Sequence, residues 1–187
     1  MRKLSFRPAV TIRGRKFKGL RGWAGKPTHP PLTDFPITGY VLAAVFDVIA
    51  TVGHRHVWAR DFFHAGTYVM VAGAAVSLLT VLTGWWDWLK SSERGTQARR
   101  TINAHATIML TVTALVLADL GLRLNDYNIR THPSPATLVL SILAAALVSL
   151  GATYGGTLVF DYGFNVETAG DHPVWHVSEQ DVLPGQH

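Results

Sequence analysis

Histidine and aspartate residues fall within or beside apolar stretches of this 187-residue chain, where ionisable groups are costly and therefore indicate a site. Four of them share one depth if the stretches cross a membrane. They are His29, Asp87, His105 and Asp161. Two imidazoles and two carboxylates suit a metal ion, and His29 with His105 suit the axial positions of a b-type haem. The alternative is that a carboxylate or carbonyl holds each histidine only to stabilise the fold.

A second group of ionisable residues falls near the opposite ends of the same stretches. It comprises Asp47, His64, Asp119 and Arg123. Asp119 and Arg123 are separated by one helical turn, which predicts an ion pair. We expect the whole group to form one polar layer that locks the helices together. A proton or ion path is the alternative interpretation.

Four apolar blocks position these residues. They are Phe35–Val52, Phe62–Leu89, Ile102–Leu122 and Ala136–Phe160. As helices they would run roughly 27 to 42 Å, against a hydrocarbon core of about 30 Å. Because a bilayer offers no water to unpaired backbone groups, the blocks predict an all-α bundle of four transmembrane helices. A soluble helical protein is the alternative, and the lack of charged faces in the blocks argues against it.

Lys and Arg residues predict the orientation of the bundle, because they stay on the cytoplasmic side of a membrane. Nine precede the first block and four lie between the second and third, against four in the two opposite loops. This bias predicts a bacterial inner-membrane protein with both termini in the cytoplasm. Residues 1–28 are expected to form a basic interfacial segment that contacts anionic lipid head groups rather than nucleic acid. Residues 29–166 form the predicted membrane domain, and residues 167–187 a flexible acidic tail.

Small and aromatic residues predict how the helices pack. Small residues line one face of the second block, at Gly73, Ser77, Thr80 and Gly84. They also line one face of the fourth, at Ser141, Ala145, Ser149, Ala152 and Gly156. Such stripes let membrane helices approach closely. Aromatic residues near the block ends are predicted to be interfacial anchors, namely Tyr40, Trp58, Trp85, Trp86 and Trp88.

The composition excludes several kinds of chemistry. The chain has no cysteine, so it holds no disulfide, iron–sulfur cluster, thiolate zinc site or covalently attached haem. It also lacks the motifs of serine hydrolases, zinc proteases and phosphate loops, and we predict no catalysis. Three functions remain: a redox-associated subunit that binds haem b or docks an electron-transfer partner, a cofactor-free scaffold or assembly module, and a small transporter or channel. The transporter has the least support unless the protein forms a homo-oligomer, because no inverted repeat is evident.

Several fragments, spread over the four blocks, occur in a distinctive order. They are HPPLTDFPITGY at 29–40, Asp47, GWWD at 84–87, Asn103, His105, Arg123 and YGGTLV at 154–159. Together they resemble the predicted membrane proteins of domain-of-unknown-function family 2231 (DUF2231), from about His29 to Val166. The resemblance implies a four-helix bacterial inner-membrane domain. Some relatives are joined to a Rieske-type iron–sulfur domain, which implies an electron-transfer partner.

Overall fold

The structure is a computed structural model that describes residues 27–166. Its elements are α1 (His29–Val52), α2 (Ala59–Ser91), α3 (Gln97–Asp126), α4 (Pro135–Gly156) and a π-helical turn (Thr157–Asp161). All four α-helices are long and apolar enough to cross a membrane. This confirms the predicted all-α fold with four transmembrane helices. Residues 1–26 of the predicted basic segment, and all of the predicted tail, lie outside the described residues.

The start of α1 differs from the expectation. The apolar pattern begins the first span at Phe35, whereas α1 begins at His29 and carries prolines in its first turn. Proline suits this position because the first helical N–H groups have no partner within the helix. His29 is therefore held by a helix rather than by a loop. Thr96 and Ser134 cap α3 and α4 by accepting backbone hydrogen bonds within the first turn.

The four helices enclose an apolar core. α1 packs against α2 and α4, and α3 packs against α4 and, less extensively, α2, so that α1 and α3 lie diagonally opposite. The buried core is formed by Tyr40, Ala43, Met70, Val112, Val116, Ala144 and Val148. The aromatic ring of Tyr40 belongs to this core, with only 1% of the residue exposed. Its assignment as an interfacial anchor is therefore wrong.

Glycines allow α1 and α2 to approach closely. A Cβ atom at Gly39 would lie 2.8 Å from the Val69 carbonyl oxygen, and one at Gly73 would lie 3.1 Å from Tyr40 Cε1. Gly73, Ser77 and Thr80 are buried, which confirms this part of the predicted packing face of α2. Close backbone approach at small residues is the usual basis of helix association in membranes.

The predicted packing face of α4 is only partly correct. Ser141 is buried, but the buried face continues through Ala144, Val148 and Gly151, and Ser149 is exposed. The reason is geometric. Each step of four residues turns about 40° past a full turn of an α-helix, so a stripe with mainly four-residue spacing drifts away from the core.

Candidate functional site

Two histidines from diagonal helices come together near one end of the bundle. The ring centres of His29 in α1 and His105 in α3 are 6.5 Å apart, and the ring planes are nearly perpendicular at 89°. Both side chains are partly buried. The backbones of α1 and α3 do not pack against each other, so this pair is one of the places where side chains connect the diagonal.

Backbone carbonyls fix both imidazoles. His29 Nδ1 lies 2.9 Å from the Thr80 carbonyl oxygen, and His105 Nδ1 lies 2.8 Å from the Gly151 carbonyl oxygen. A carbonyl can only accept, so Nδ1 donates in both rings and carries the hydrogen. Each neutral ring then keeps a lone pair on Nε2. Histidines that bind metals are typically oriented in this way, by a hydrogen bond from the other ring nitrogen.

Glycines beside the two rings provide the space that the rings occupy. A Cβ atom at Gly84 would lie 2.6 Å from His29 Cε1, which is too close for any side chain. A Cβ atom at Gly155 would lie 3.4 Å from His105 Cε1. Each imidazole therefore rests against the backbone of a neighbouring helix, His29 on α2 and His105 on α4.

The separation of the rings suits a metal between two opposed imidazoles. With metal–nitrogen bonds of about 2 Å, and ring nitrogens about 1.2 Å from the ring centre, axial ligands place their ring centres about 6.4 Å apart. The distance between His29 and His105 is 6.5 Å. This distance is the one that two imidazole ligands on a single metal ion would show.

The two carboxylates predicted at the same depth do not complete a metal site. Asp87 is buried in α2, whereas Asp161 is exposed at the end of the π-helical turn. Among residues 27–166, no group of three or more His, Asp or Glu side chains is placed to hold a metal ion. The structure thus assembles the two histidines of the predicted set and does not support a four-ligand centre.

A buried ion-pair network connects the same diagonal helices near the other end. Arg123 in α3 donates to Asp47 in α1 through two bonds, Nη1–Oδ1 at 2.9 Å and Nη2–Oδ2 at 2.5 Å. It also donates to Asp119, with distances of 3.2 and 3.3 Å. All three side chains are fully buried. The predicted ion pair of Asp119 and Arg123 is confirmed, and the shorter, bidentate pair joins Arg123 to Asp47.

The network is closely enclosed by α2. A Cβ atom at Gly66 would lie 3.2 Å from Asp47 Oδ1 and 3.5 Å from Arg123 Nη1. The Phe63 ring centre lies 5.5 Å from the guanidinium carbon of Arg123. Charges removed from water must be paired, and here one cation serves two carboxylates. With both carboxylates ionised, the network carries one excess negative charge.

His64 has a separate role from the other members of its predicted layer. Its Nε2 donates to the Tyr127 carbonyl oxygen over 3.0 Å, and its ring stacks on the Tyr127 ring at 4.1 Å. This contact ties the start of α2 to the end of α3. His64 therefore lies near the buried network and stabilises the connection between two helix ends.

Glycine positions are the part of both sites that the sequence interpretation missed. The sequence analysis assigns Gly84 to helix packing and includes Gly84 and Gly155 in family fragments, but it gives neither a role beside a histidine and does not mention Gly66 or Gly151. Each lies against a polar side chain or supplies the carbonyl that orients one. A glycine at the same depth as an ionisable residue on another helix is a signal that could have identified these positions. A glycine has no side chain, so it leaves space for a polar side chain from the neighbouring helix.

A family model described as predicted membrane protein (DUF2231) matches residues 25–168. No curated protein and no solved structure matches the chain.

Proposed function

The chain belongs to the DUF2231 family of predicted membrane proteins, and we propose that it is a redox-associated membrane subunit that binds haem b between His29 and His105. One observation carries this proposal: two imidazoles, each oriented by a backbone carbonyl, have ring centres 6.5 Å apart. A bound haem would supply one-electron transfer. The protein's own residues hold and orient the axial ligands.

Each part of the bundle has a task in this proposal. The Thr80 carbonyl keeps the His29 proton on Nδ1, and the Gly151 carbonyl does the same for His105. Gly84 and Gly155 leave room for the two rings. The buried apolar core lies between this end and the buried ion pairs. A transporter or channel has less support, because the sequence shows no inverted repeat.

The proposal includes an orientation. In this proposal both termini and the histidine pair face the cytoplasm of a bacterium, and the basic residues before α1 and between α2 and α3 support this orientation. Aromatic and basic residues at this end support the assignment. Lys90 lies 5.4 Å from the Trp86 ring centre, and the Arg99 guanidinium lies 3.8 Å from that of Trp88. Such pairs suit the level of the lipid head groups, where anionic lipids attract Lys and Arg.

An electron-transfer partner is part of the proposal, because a single haem needs a donor and an acceptor. The site lies near the end of the bundle, so a cytoplasmic or membrane-bound redox protein could approach it closely. The cofactor-free scaffold is the alternative function. In that case the two histidines only brace α1 and α3, and the purified protein has no redox spectrum.

The test is an optical spectrum of the full chain, purified in detergent after expression with haem supplied. We expect a b-type reduced-minus-oxidised difference spectrum in the wild type and its loss in His29→Ala and His105→Ala, because each substitution removes one axial ligand. His64→Ala is the matched control. It removes a histidine with a similar backbone hydrogen bond at the other end of the bundle, and it should keep the spectrum.

Two results would overturn the proposal. One is a folded wild-type protein without haem, as judged by circular dichroism and metal analysis of the same sample. The other is a haem spectrum that survives in both His29→Ala and His105→Ala. The first result would favour the cofactor-free scaffold, and the second would move the haem to other ligands.

A further inference from the structure

Two more histidines meet at the end of the bundle opposite the proposed haem site. His54 lies in the connection between α1 and α2, and His132 lies in the connection between α3 and α4. Their ring centres are 5.7 Å apart, and the ring planes are tilted by 56°. The fold thus brings together imidazoles from two different helix hairpins. His54 is exposed and His132 is half-buried, so a small solute can reach them.

Both rings have a nitrogen available to a metal. His54 Nδ1 donates to the Thr51 carbonyl oxygen over 3.0 Å, which leaves the lone pair on Nε2. His132 Nδ1 lies 3.3 Å from Thr131 Oγ1, a hydroxyl that can accept the ring hydrogen. With that hydroxyl as acceptor, His132 Nε2 also keeps its lone pair. Hydrogen bonds of this kind orient metal-binding histidines.

The separation of the rings suits two ligands on one metal ion. A tetrahedral ion with metal–nitrogen bonds of about 2 Å places two imidazole centres about 5.2 Å apart, and a linear arrangement places them about 6.4 Å apart. The distance of 5.7 Å between His54 and His132 lies between these values. Because His54 is exposed, its side chain has room to rotate and adjust this distance.

The charge of one arginine near His132 is compensated by an aspartate. Arg130, two residues before His132, donates to Asp126 over 2.6 Å, so its charge is paired. We propose that His54 and His132 bind a divalent transition metal ion of the zinc type, with water completing its coordination. Imidazole nitrogens are preferred ligands of such ions. The ion would join the α1–α2 connection to the α3–α4 connection.

The test is a calorimetric titration of the full chain in detergent with Zn²⁺. We expect His54→Ala and His132→Ala each to weaken the same binding equivalent by about tenfold to a hundredfold or more. The double variant should lose this equivalent altogether, because both residues serve one ion. His56→Ala is the matched control. This histidine lies in the same connection but stacks on Trp58 at 5.2 Å, and its removal should leave the titration unchanged.

The proposal is overturned if neither single variant changes the titration, or if each single variant removes a different binding equivalent, as two separate sites would. Circular dichroism of each variant checks that these loop substitutions leave the helices intact. The outcome is independent of the haem proposal, because His29 and His105 belong to the other end of the bundle. The haem spectrum should be the same in His54→Ala and His132→Ala as in the wild type.

Discussion

Arg123→Met is expected to lower the free energy of unfolding by about 3 to 5 kcal/mol, the usual cost of removing one partner from a buried ion pair. The substitution leaves Asp47 and Asp119 facing each other without a cation, and both carboxylates are fully buried. It also removes the side chain that connects α1 to α3 across the diagonal near this end. Titration with SDS in detergent micelles, followed by circular dichroism, measures the change.

Arg130→Met is the matched control for this prediction. Arg130 also donates to an aspartate four residues earlier, Asp126, but 43% of its side chain is exposed. Exposed ion pairs contribute between about 0 and 1 kcal/mol, so the control should unfold almost as the wild type does. If Arg123→Met were as stable as Arg130→Met, the buried network would not be the structural lock that its geometry indicates.

The second large effect is a difference in stability between variants of the two aspartates that contact Arg123. Asp47→Asn breaks the bidentate pair with Arg123 and should cost about 3 kcal/mol, because hydrogen bonds to charged groups contribute about 1.5 to 3 kcal/mol each. Asp119→Asn keeps that pair, and the neutral amide removes the excess negative charge. The bonds from Arg123 to Asp119 are the longer ones, at 3.2 and 3.3 Å. We therefore expect Asp119→Asn to change the stability by less than about 1 kcal/mol.

The same SDS titration measures both variants under identical conditions. Equal losses in Asp47→Asn and Asp119→Asn would contradict this account, since they would mean that Arg123 depends on both carboxylates alike. A larger loss of stability in Asp119→Asn than in Asp47→Asn would mean that Asp119 is the more important partner of Arg123. Each variant differs from the wild type by a single isosteric replacement, so the comparison isolates charge and hydrogen bonding from side-chain volume.

The length of the apolar blocks predicts much of the fold. The depth of polar residues along the blocks predicts which of them lie together in a site. The four apolar blocks predicted four membrane helices because a bilayer requires long, continuous apolar helices. Depth alone grouped Asp47 with Arg123, and His29 with His105, because residues at equal distances from span ends lie at one level. The structure confirms both pairs. Their roles as metal or haem ligands are proposals that need the experiments above.

Tyr40 and His64 show that depth along a span is not sufficient to predict the contacts of a side chain. A tyrosine near the end of a span is typical of an interfacial anchor, but Gly73 leaves space for the Tyr40 ring in the core. The sequence predicts His64 at the depth of the ion-pair network, but its side chain donates a hydrogen bond to the Tyr127 carbonyl, just after the end of α3. Which way a side chain points depends on helix rotation and on the neighbouring glycines. Neither can be inferred from the apolar pattern of one block.

The most direct test of the central claim is electron paramagnetic resonance of the oxidised, haem-loaded protein. The ring planes of His29 and His105 meet at 89°. If both rings held a ferric haem at this angle, the haem would give a strongly anisotropic low-spin signal. We predict this signal in the wild type and its replacement by a high-spin signal in His105→Ala. A protein that binds haem with only a high-spin signal, or with a low-spin signal unchanged in His105→Ala, would contradict ligation by this pair.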